Sequence, residues 1–413
     1  MAVRADRALR DLPVSSIIAA IAAAAGRWCD PHFAPRAALV PRIAERTGYA
    51  QPVVTYALDR LFETMTADAL RATIAGELGT LAALDGFVRR PGRPDGFARG
   101  VERVAIVSSD TTIGVALPAA VFALCARAQV DVKDRVDGLV AAFAATLAGI
   151  EPAFAGAFRA QPWSSPGDSG AGETLAAADT VVAYGGAEAL VAIRALLGPE
   201  ARFVPFGHRT SIGYVPAAAL ADAAAARDHA AGAALDAILY DGEGCLSLHA
   251  LFVERGAAVT PQAYAALVAD GAGALAARFP PSQAPESPGA FAYRKRLAFR
   301  EANGIGRVLQ AGGATIAFDP PLDEPPPLFA RTLGIYPTGG LPDAAARLRA
   351  WALPVEALGT PHGLATNAVL ELAREAGIVR IAPLGRLQAP PLGGEHGGSG
   401  RILPFVRWMY RER

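Results

Sequence analysis

Three observations predict an α/β protein built on a parallel sheet and preceded by a helical region. Short apolar runs alternate with helical patterns through the middle of the chain, the spacing of strand–helix–strand units. One such run, residues 180–184 (TVVAY), leads straight into Gly185-Gly186 and a helical pattern, an arrangement suited to phosphate at a helix N-terminus. Hydrophobic residues make up 52% of the 413 residues and charged residues 19%, so a sizeable core is available and a disordered chain is excluded.

Taken in order, residues 1–85 read as helices, with apolar positions at helical spacing through 38–46 and 53–65. Residues 89–99 are rich in Pro, Gly and Arg and read as a connector. Residues 104–107 (VAIV) read as a buried strand, followed by a Ser/Thr turn and an apolar helix over 115–128. A short strand at 130–132 and a helix over 138–147 come next, and 162–173 reads as a loop. The 180–184 strand, a helix over 187–197 and a strand at 202–205 complete this half. The second half starts near Ser211, with helix through 217–232 and up to Tyr240. A tight turn, 241–244 (DGEG), delivers Cys245 ahead of a strand at 251–254. Residues 280–289 and 320–327 are Pro-rich loops, and 334–337 and 378–383 read as strands.

The zero net charge excludes a dedicated nucleic-acid binder, which carries a basic face. Residues 14–26 (VSSIIAAIAAAAG) are too few to span a bilayer, and they read as an Ala-rich buried helix in preference to a signal peptide. Lysine occurs twice, at Lys133 and Lys295. The three cysteines, Cys29, Cys125 and Cys245, form no disulfide framework, which implies a reducing cytoplasm. No Cys/His cluster has metal-ligand spacing, so no metal is expected.

Cys29, after a Trp at a helix end, and Cys125, in an apolar helix, read as packing residues. Cys245 differs, because Gly242 and Gly244 let backbone amides approach a ligand, as an oxyanion requires. On residue types alone, a structural thiol and a functional one both remain open there.

Five segments add a resemblance. Residues 241–255 (DGEGCLSLHALFVER) resemble the nucleophile segment of the aldehyde dehydrogenase superfamily. Residues 180–194 (TVVAYGGAEALVAIR) look like its strand–glycine–helix cofactor segment, and 204–215 (VPFGHRTSIGYV) like the strand crossing into the catalytic domain. Residues 126–133 (ARAQVDVK) resemble the strand ending in the lysine that holds the adenosine ribose or its phosphate. The tail, 381–408, resembles the C-terminal signature of the LuxC-type acyl-CoA reductases, and the whole chain looks like that family.

The resemblance implies an aldehyde-dehydrogenase-like α/β fold with a Rossmann-type cofactor domain. It implies a helical region over 1–85, the cofactor domain over 86–207, a catalytic domain over 208–384, and a tail over 385–413 returning to the cofactor domain. It implies NADPH-dependent reduction of a long-chain acyl-CoA or acyl-protein thioester to the fatty aldehyde, with Cys245 as nucleophile and Lys133, Gly185, Gly186 and Ser109 binding the cofactor. Such a thiol needs a lowered pKa. The implied partners are acyl-CoA or an acylated carrier protein, an acyl-protein synthetase or acyltransferase, and a second copy of the chain.

Departures from the superfamily pattern also carry information. The crossing strand holds Pro205 and Phe206 where aldehyde-oxidising members have a glutamate base, which favours thiol exchange over hydrolysis. Asp110 stands where an oxyanion-supporting asparagine is usual; either a neighbouring Ser or Thr hydroxyl donates instead, or the correspondence is offset by one or two residues. The glutamate that grips the nicotinamide ribose has no clear counterpart near residues 331–337. Asp131 and Asp134 are candidate partners for Lys133, His249 reads as packing, and His208 is a supporting candidate. The competing readings are a non-catalytic scaffold in an acyl-processing complex, an aldehyde-oxidising dehydrogenase, and a cysteine hydrolase.

Overall fold

A computed structural model describes residues 8–109, 112–134, 138–161, 163 and 169–412. The chain divides into two compact units, one comprising the residues up to Thr47, Val54–Gly207 and Pro391 onward, the other Gly48–Val53 and His208–Pro390.

The helical region is formed by α1 (Val14–Cys29), α2 (Ala34–Thr47), α3 (Gln51–Glu63) and α4 (Ala67–Leu78), all in the first unit except the first turn of α3. The 14–26 segment is the body of α1, and it buries Ile17, Ile18, Ile21, Ala24 and Trp28. Trp28 packs on Phe62 with ring centroids 5.1 Å apart and donates to the Thr146 hydroxyl at 3.1 Å, a bond that satisfies its buried N–H. The residues read as a connector instead form a hairpin, β1 (Val88–Arg90) and β2 (Arg93–Gly100), turning at Gly92 with φ 68°. Its partner is remote in sequence: β15 (Val406–Arg411) pairs along β2, and Arg90 stacks over Trp408 at 3.9 Å. No local pattern could announce that strand.

The main sheet of this unit is fully parallel, in the order β5-β4-β3-β6-β7. Its strands are β3 (Arg103–Val107), β4 (Gln129–Lys133), β5 (Phe158–Gln161), β6 (Thr180–Tyr184) and β7 (Arg202–Phe206). The connecting helices are α5 (Ala116–Cys125), α6 (Leu139–Ile150), α7 (Ser169–Ala176) and α8 (Ala187–Ala195). Apart from β5, every strand here was readable from its apolar run. The expected loop over 162–173 ends in α7, and its other residues, 163 excepted, lie outside the described set up to 168. The strand order runs outward from β3 in both directions, so the topological switch lies between the carboxyl ends of β3 and β6.

The second unit holds a seven-stranded sheet in the order β10-β11-β12-β9-β8-β13-β14, parallel except for the β10–β11 hairpin. Its strands are β8 (Thr210–Val215), β9 (Leu248–Glu254), β10 (Arg307–Ala311), β11 (Ala314–Phe318), β12 (Thr332–Thr338), β13 (Val355–Thr360) and β14 (Arg380–Pro383). The segment expected as one crossing strand, 204–215, is two strands in different units, broken after Phe206. Helices α9 (Ala223–Ile238) and α10 (Pro261–Leu275) pack closely because their contact faces are small: a Cβ on Gly271 would lie 3.1 Å from the Ala231 Cα. The remaining helices are α11 (Pro288–Ala302), α12 (Leu341–Trp351) and α13 (Asn367–Glu375). No helix among the described residues is long and apolar enough to cross a membrane.

Candidate active site

Between α9 and β9 the chain makes a single 3₁₀ turn, Leu239–Gly242, and then reaches Cys245. Tyr240 and Asp241 both adopt left-handed backbone, with φ 52° and 51°, and Gly242 follows at 73°. Left-handed backbone costs an L-residue about 1–2 kcal/mol, so this turn needs outside support. On one side Arg331 supplies it: its backbone N–H donates to the Asp241 carbonyl at 2.8 Å and its Nε to the Asp241 carboxylate at 2.5 Å. On the other, the Tyr49 ring packs edge-on against Tyr240 with centroids 6.1 Å apart, and its hydroxyl bonds Glu243. Beyond the cysteine, Gln388 donates to the Ser247 hydroxyl at 2.7 Å, while Gly385 and Leu387 donate their N–H groups to the buried Asp236 carboxylate. Burial raises that carboxyl to about 7, despite the backbone N–H bonds that oppose the shift.

Cys245 sits at the amino end of the sheet, where four parallel neighbours place charged groups along one edge. Arg209 precedes β8, Glu356 is the second residue of β13, and Arg380 opens β14. Arg209 Nε lies 3.4 Å from the Glu356 carboxylate, and Ser211 donates its hydroxyl to the Cys245 carbonyl at 2.9 Å. The thiol is pushed up to about 11, first by burial and then by the Glu356 carboxylate; its own backbone N–H and the Arg380 and Arg209 cations pull the other way. This corrects the expectation of a lowered thiol. Cys125 is raised to about 12 and Cys29 is also raised, burial being the first cause in each, so acidity does not single out Cys245. Its turn and its charged edge do.

His249 lies four residues on, in β9, where the register with β8 shifts by one residue. It is buried, its Nδ1 has no partner, and burial lowers it to about 4, so it is a neutral packing residue at physiological pH. His208 is exposed.

The other expected residues line the carboxyl edge of the parallel sheet in the first unit. Ser109 follows β3, Lys133 ends β4, and Gly185 and Gly186 follow β6, so all lie around the switch point. Gly186 caps α8 with no side-chain bond to its first turn, which leaves those N–H groups to a ligand. Gly185 has ordinary backbone, and a Cβ there would meet the Ala189 Cβ at 3.5 Å, so the fold itself does not demand glycine. Lys133 is 4% exposed, which removes the reading of a solvated surface charge, and its carbonyl accepts from the Ser108 N–H at 3.1 Å. The Asp131 carboxylate is held by Arg159 at 2.7 and 2.8 Å and by Gln161 at 2.5 Å. Asp134 accepts the Val140 N–H at 3.0 Å, at the start of α6. Asp110 lies outside the described residues. Uncapped helix N–H groups, an open glycine and a buried lysine at strand ends fit a dinucleotide phosphate.

At the end of β7, Phe206 is covered by His396, with ring centroids 4.0 Å apart and planes at 15°, and Tyr184 stacks on its ring at 5.0 Å. Sequence reasoning missed His396 in this role, along with Glu356, Arg209, Gln388, Tyr49 and Arg331. For Glu356 a signal was present, a lone carboxylate inside the apolar run VEALGT. The others act through contacts remote in sequence. Among the described residues, no group of three His, Cys, Asp or Glu side chains is arranged to hold a metal.

The sequence profile of the acyl-CoA reductase (LuxC) family matches residues 9–408. No curated protein sequence matches the chain. Solved structures share the fold at low identity. A NAD-dependent benzaldehyde dehydrogenase from Corynebacterium glutamicum is 13% identical, with a TM-score of 0.70 over 99% of this chain and 88% of its own. Lactaldehyde dehydrogenase from Escherichia coli is 13% identical, with a TM-score of 0.68 over 98% and 88%. A 1-pyrroline-5-carboxylate dehydrogenase from Thermus with bound NAD is 16% identical, with a TM-score of 0.60 over 98% and 83%. These likenesses establish the aldehyde-dehydrogenase-like α/β fold.

Proposed function

The chain belongs to the acyl-CoA reductase (LuxC) family, and from that premise we propose that it reduces a long-chain acyl thioester, on coenzyme A or a carrier protein, to the fatty aldehyde with NADPH through an acyl-Cys245 intermediate. The observation that carries this reading is the placement of Cys245 at the end of a strained, externally braced turn, with Arg209, Arg380 and Glu356 acting on its thiol.

Cys245 attacks the thioester carbonyl carbon; its sulfur–carbon bond forms, the carbon–sulfur bond to the carrier breaks, and the thiol proton passes to the departing thiolate. Thioester exchange is nearly isoenergetic, so the acyl-enzyme is accessible. The raised thiol of the free protein means that the proton leaves as attack proceeds, with Arg209 and Arg380 favouring the charged sulfur. Lys133 would hold the ribose phosphate, the N–H groups at the α8 N-terminus the pyrophosphate, and Ser109 the neighbouring face. When bound, the cofactor supplies hydride to the acyl carbon. Cys245 then carries a thiohemiacetal, whose collapse frees the aldehyde and restores the sulfur. Pro205 and Phe206 offer no proton acceptor for a hydrolytic water, and the Phe206 ring is covered by His396.

The test is NADPH consumption on addition of a long-chain acyl-CoA, with fatty aldehyde as product, together with acyl-protein formation in the absence of cofactor. C245A is expected to lose both, while C29A and C125A keep both. An adduct that persists in C245A overturns the assignment. The raised thiol favours one competing reading, a non-catalytic scaffold member, and absence of both adduct and NADPH consumption in the wild-type protein would overturn the reductase reading.

A further inference from the structure

Among the described residues, six non-glycine residues take a left-handed φ, and three of them, Tyr240, Asp241 and Arg331 at 52°, 51° and 46°, are in direct contact beside the nucleophile. Such strain persists only where surrounding groups over-determine it, and it gathers at functional sites. Arg331 is the group that over-determines it. Besides its two bonds to Asp241, its terminal nitrogens donate to the carbonyls of Phe279 at 3.0 Å, Pro280 at 2.9 Å and Gly312 at 3.3 Å. The second Asp241 oxygen accepts the Ser282 N–H at 3.2 Å. The two side chains are 2% and 5% exposed. Arg331 also closes on the next residue: a Cβ on Gly242 would lie 3.2 Å from its backbone nitrogen.

A buried ion pair is weak evidence for stability, because desolvation offsets the attraction and a well-packed apolar pair often does as well. An apolar pair has no directionality, however. A planar guanidinium fixes the directions of all its donors at once, and lysine lacks that fork. The bonds run from one arginine to a carboxylate four residues ahead of Cys245 and to three carbonyls of the surrounding frame.

We propose that Arg331 is a positioning residue for the nucleophile: through Asp241 it locks the left-handed turn that presents Cys245 to the thioester carbonyl. The proposal rests on Cys245 being the residue acylated.

The experiment measures single-turnover acylation by palmitoyl-CoA without cofactor, in R331M, R331K, D241N, the R331M/D241N double variant and C245A. It is run at a temperature where circular dichroism shows each protein folded. R331M and D241N are expected to acylate about 100-fold more slowly, the scale of a roughly 1 Å misplacement, with unchanged apparent affinity for palmitoyl-CoA. R331K is expected to fall between them and the wild type, and the double variant to be no slower than the slower single, since the two residues act as one unit. If R331M does not fold, R331K and D241N decide. Wild-type acylation rates per folded molecule in R331K and D241N would overturn the proposal and leave the clamp a matter of stability alone. Acylation of C245A would overturn the nucleophile reading itself, whatever the Arg331 variants do, so the two failures are distinguishable.

Discussion

The carboxyl edge of the first unit's sheet and the amino edge of the second unit's sheet are built by different means. On the first, Ser109, Lys133, Gly185 and Gly186 each sit within two residues of the end of their own strand, and a helix begins at the residue after Gly186. Strand ends and one helix N-terminus place all of these residues. On the second, Cys245 depends on residues far away in the chain: Arg331, Glu356 and Gln388 lie 86, 111 and 143 positions beyond it. A cofactor cradle can be local because helix N–H groups point the same way in any protein. In the proposed function Cys245 is a nucleophile that must be aimed and its acidity set, and side chains from several strands act on it.

The largest effect that would break this comparison concerns water. The carboxyl end of β7 carries Pro205 and Phe206, neither of which accepts a proton, and the edge beside Cys245 carries Glu356. Run in reverse with aldehyde and NADP, the enzyme is expected to stall as the acyl-cysteine until a thiol is added. Coenzyme A should raise steady-state turnover about 10²–10⁴-fold, the usual worth of a general base, with acyl-CoA as the product by mass spectrometry. Fast, thiol-independent release of free fatty acid would assign a base to the nucleophile edge, with Glu356 the first suspect, and would make the reaction aldehyde oxidation.

A smaller effect sharpens the cofactor side. K133A is expected to weaken NADPH binding roughly 10- to 150-fold, the cost of losing a charge-assisted contact, and to leave NADH binding nearly unchanged in a fluorescence titration. Equal losses for both cofactors would place Lys133 on the ribose hydroxyls or in the fold.

The smallest expected effect sharpens the nucleophile side. The Cys245 thiol is raised to about 11, and after burial the Glu356 carboxylate is the next cause. Removing that negative charge lowers the thiol pKa, so E356Q should carry more thiolate at pH 8 and react faster with iodoacetamide, while burial still keeps the thiol above its usual range. The pH profile of alkylation should shift to lower pH. Slower alkylation in E356Q would instead identify Glu356 as the acceptor of the thiol proton.

Much of the fold was legible because its signals are local. The apolar runs at 104–107, 180–184 and 202–205 are strands, and residues 14–26 are a buried helix, since a buried parallel strand and an Ala-rich helix declare themselves in a few consecutive side chains. The hairpin over 88–100 was read as a connector because its pairing partner is β15, at the other end of the chain. The sequence could not show that Arg159 and Gln161, about thirty residues on, hold the Asp131 carboxylate, because β5 comes beside β4 only in the folded sheet.

By itself the sequence determined the α/β class, the strand–glycine–helix segment and the glycine-flanked cysteine, all properties of adjacent residues. Only the tertiary structure decided that the thiol is raised instead of lowered, that Lys133 is buried, and that Arg331 braces the turn ahead of Cys245. Burial and charge are sums over everything that packs around a group, and those neighbours come together only when the chain folds.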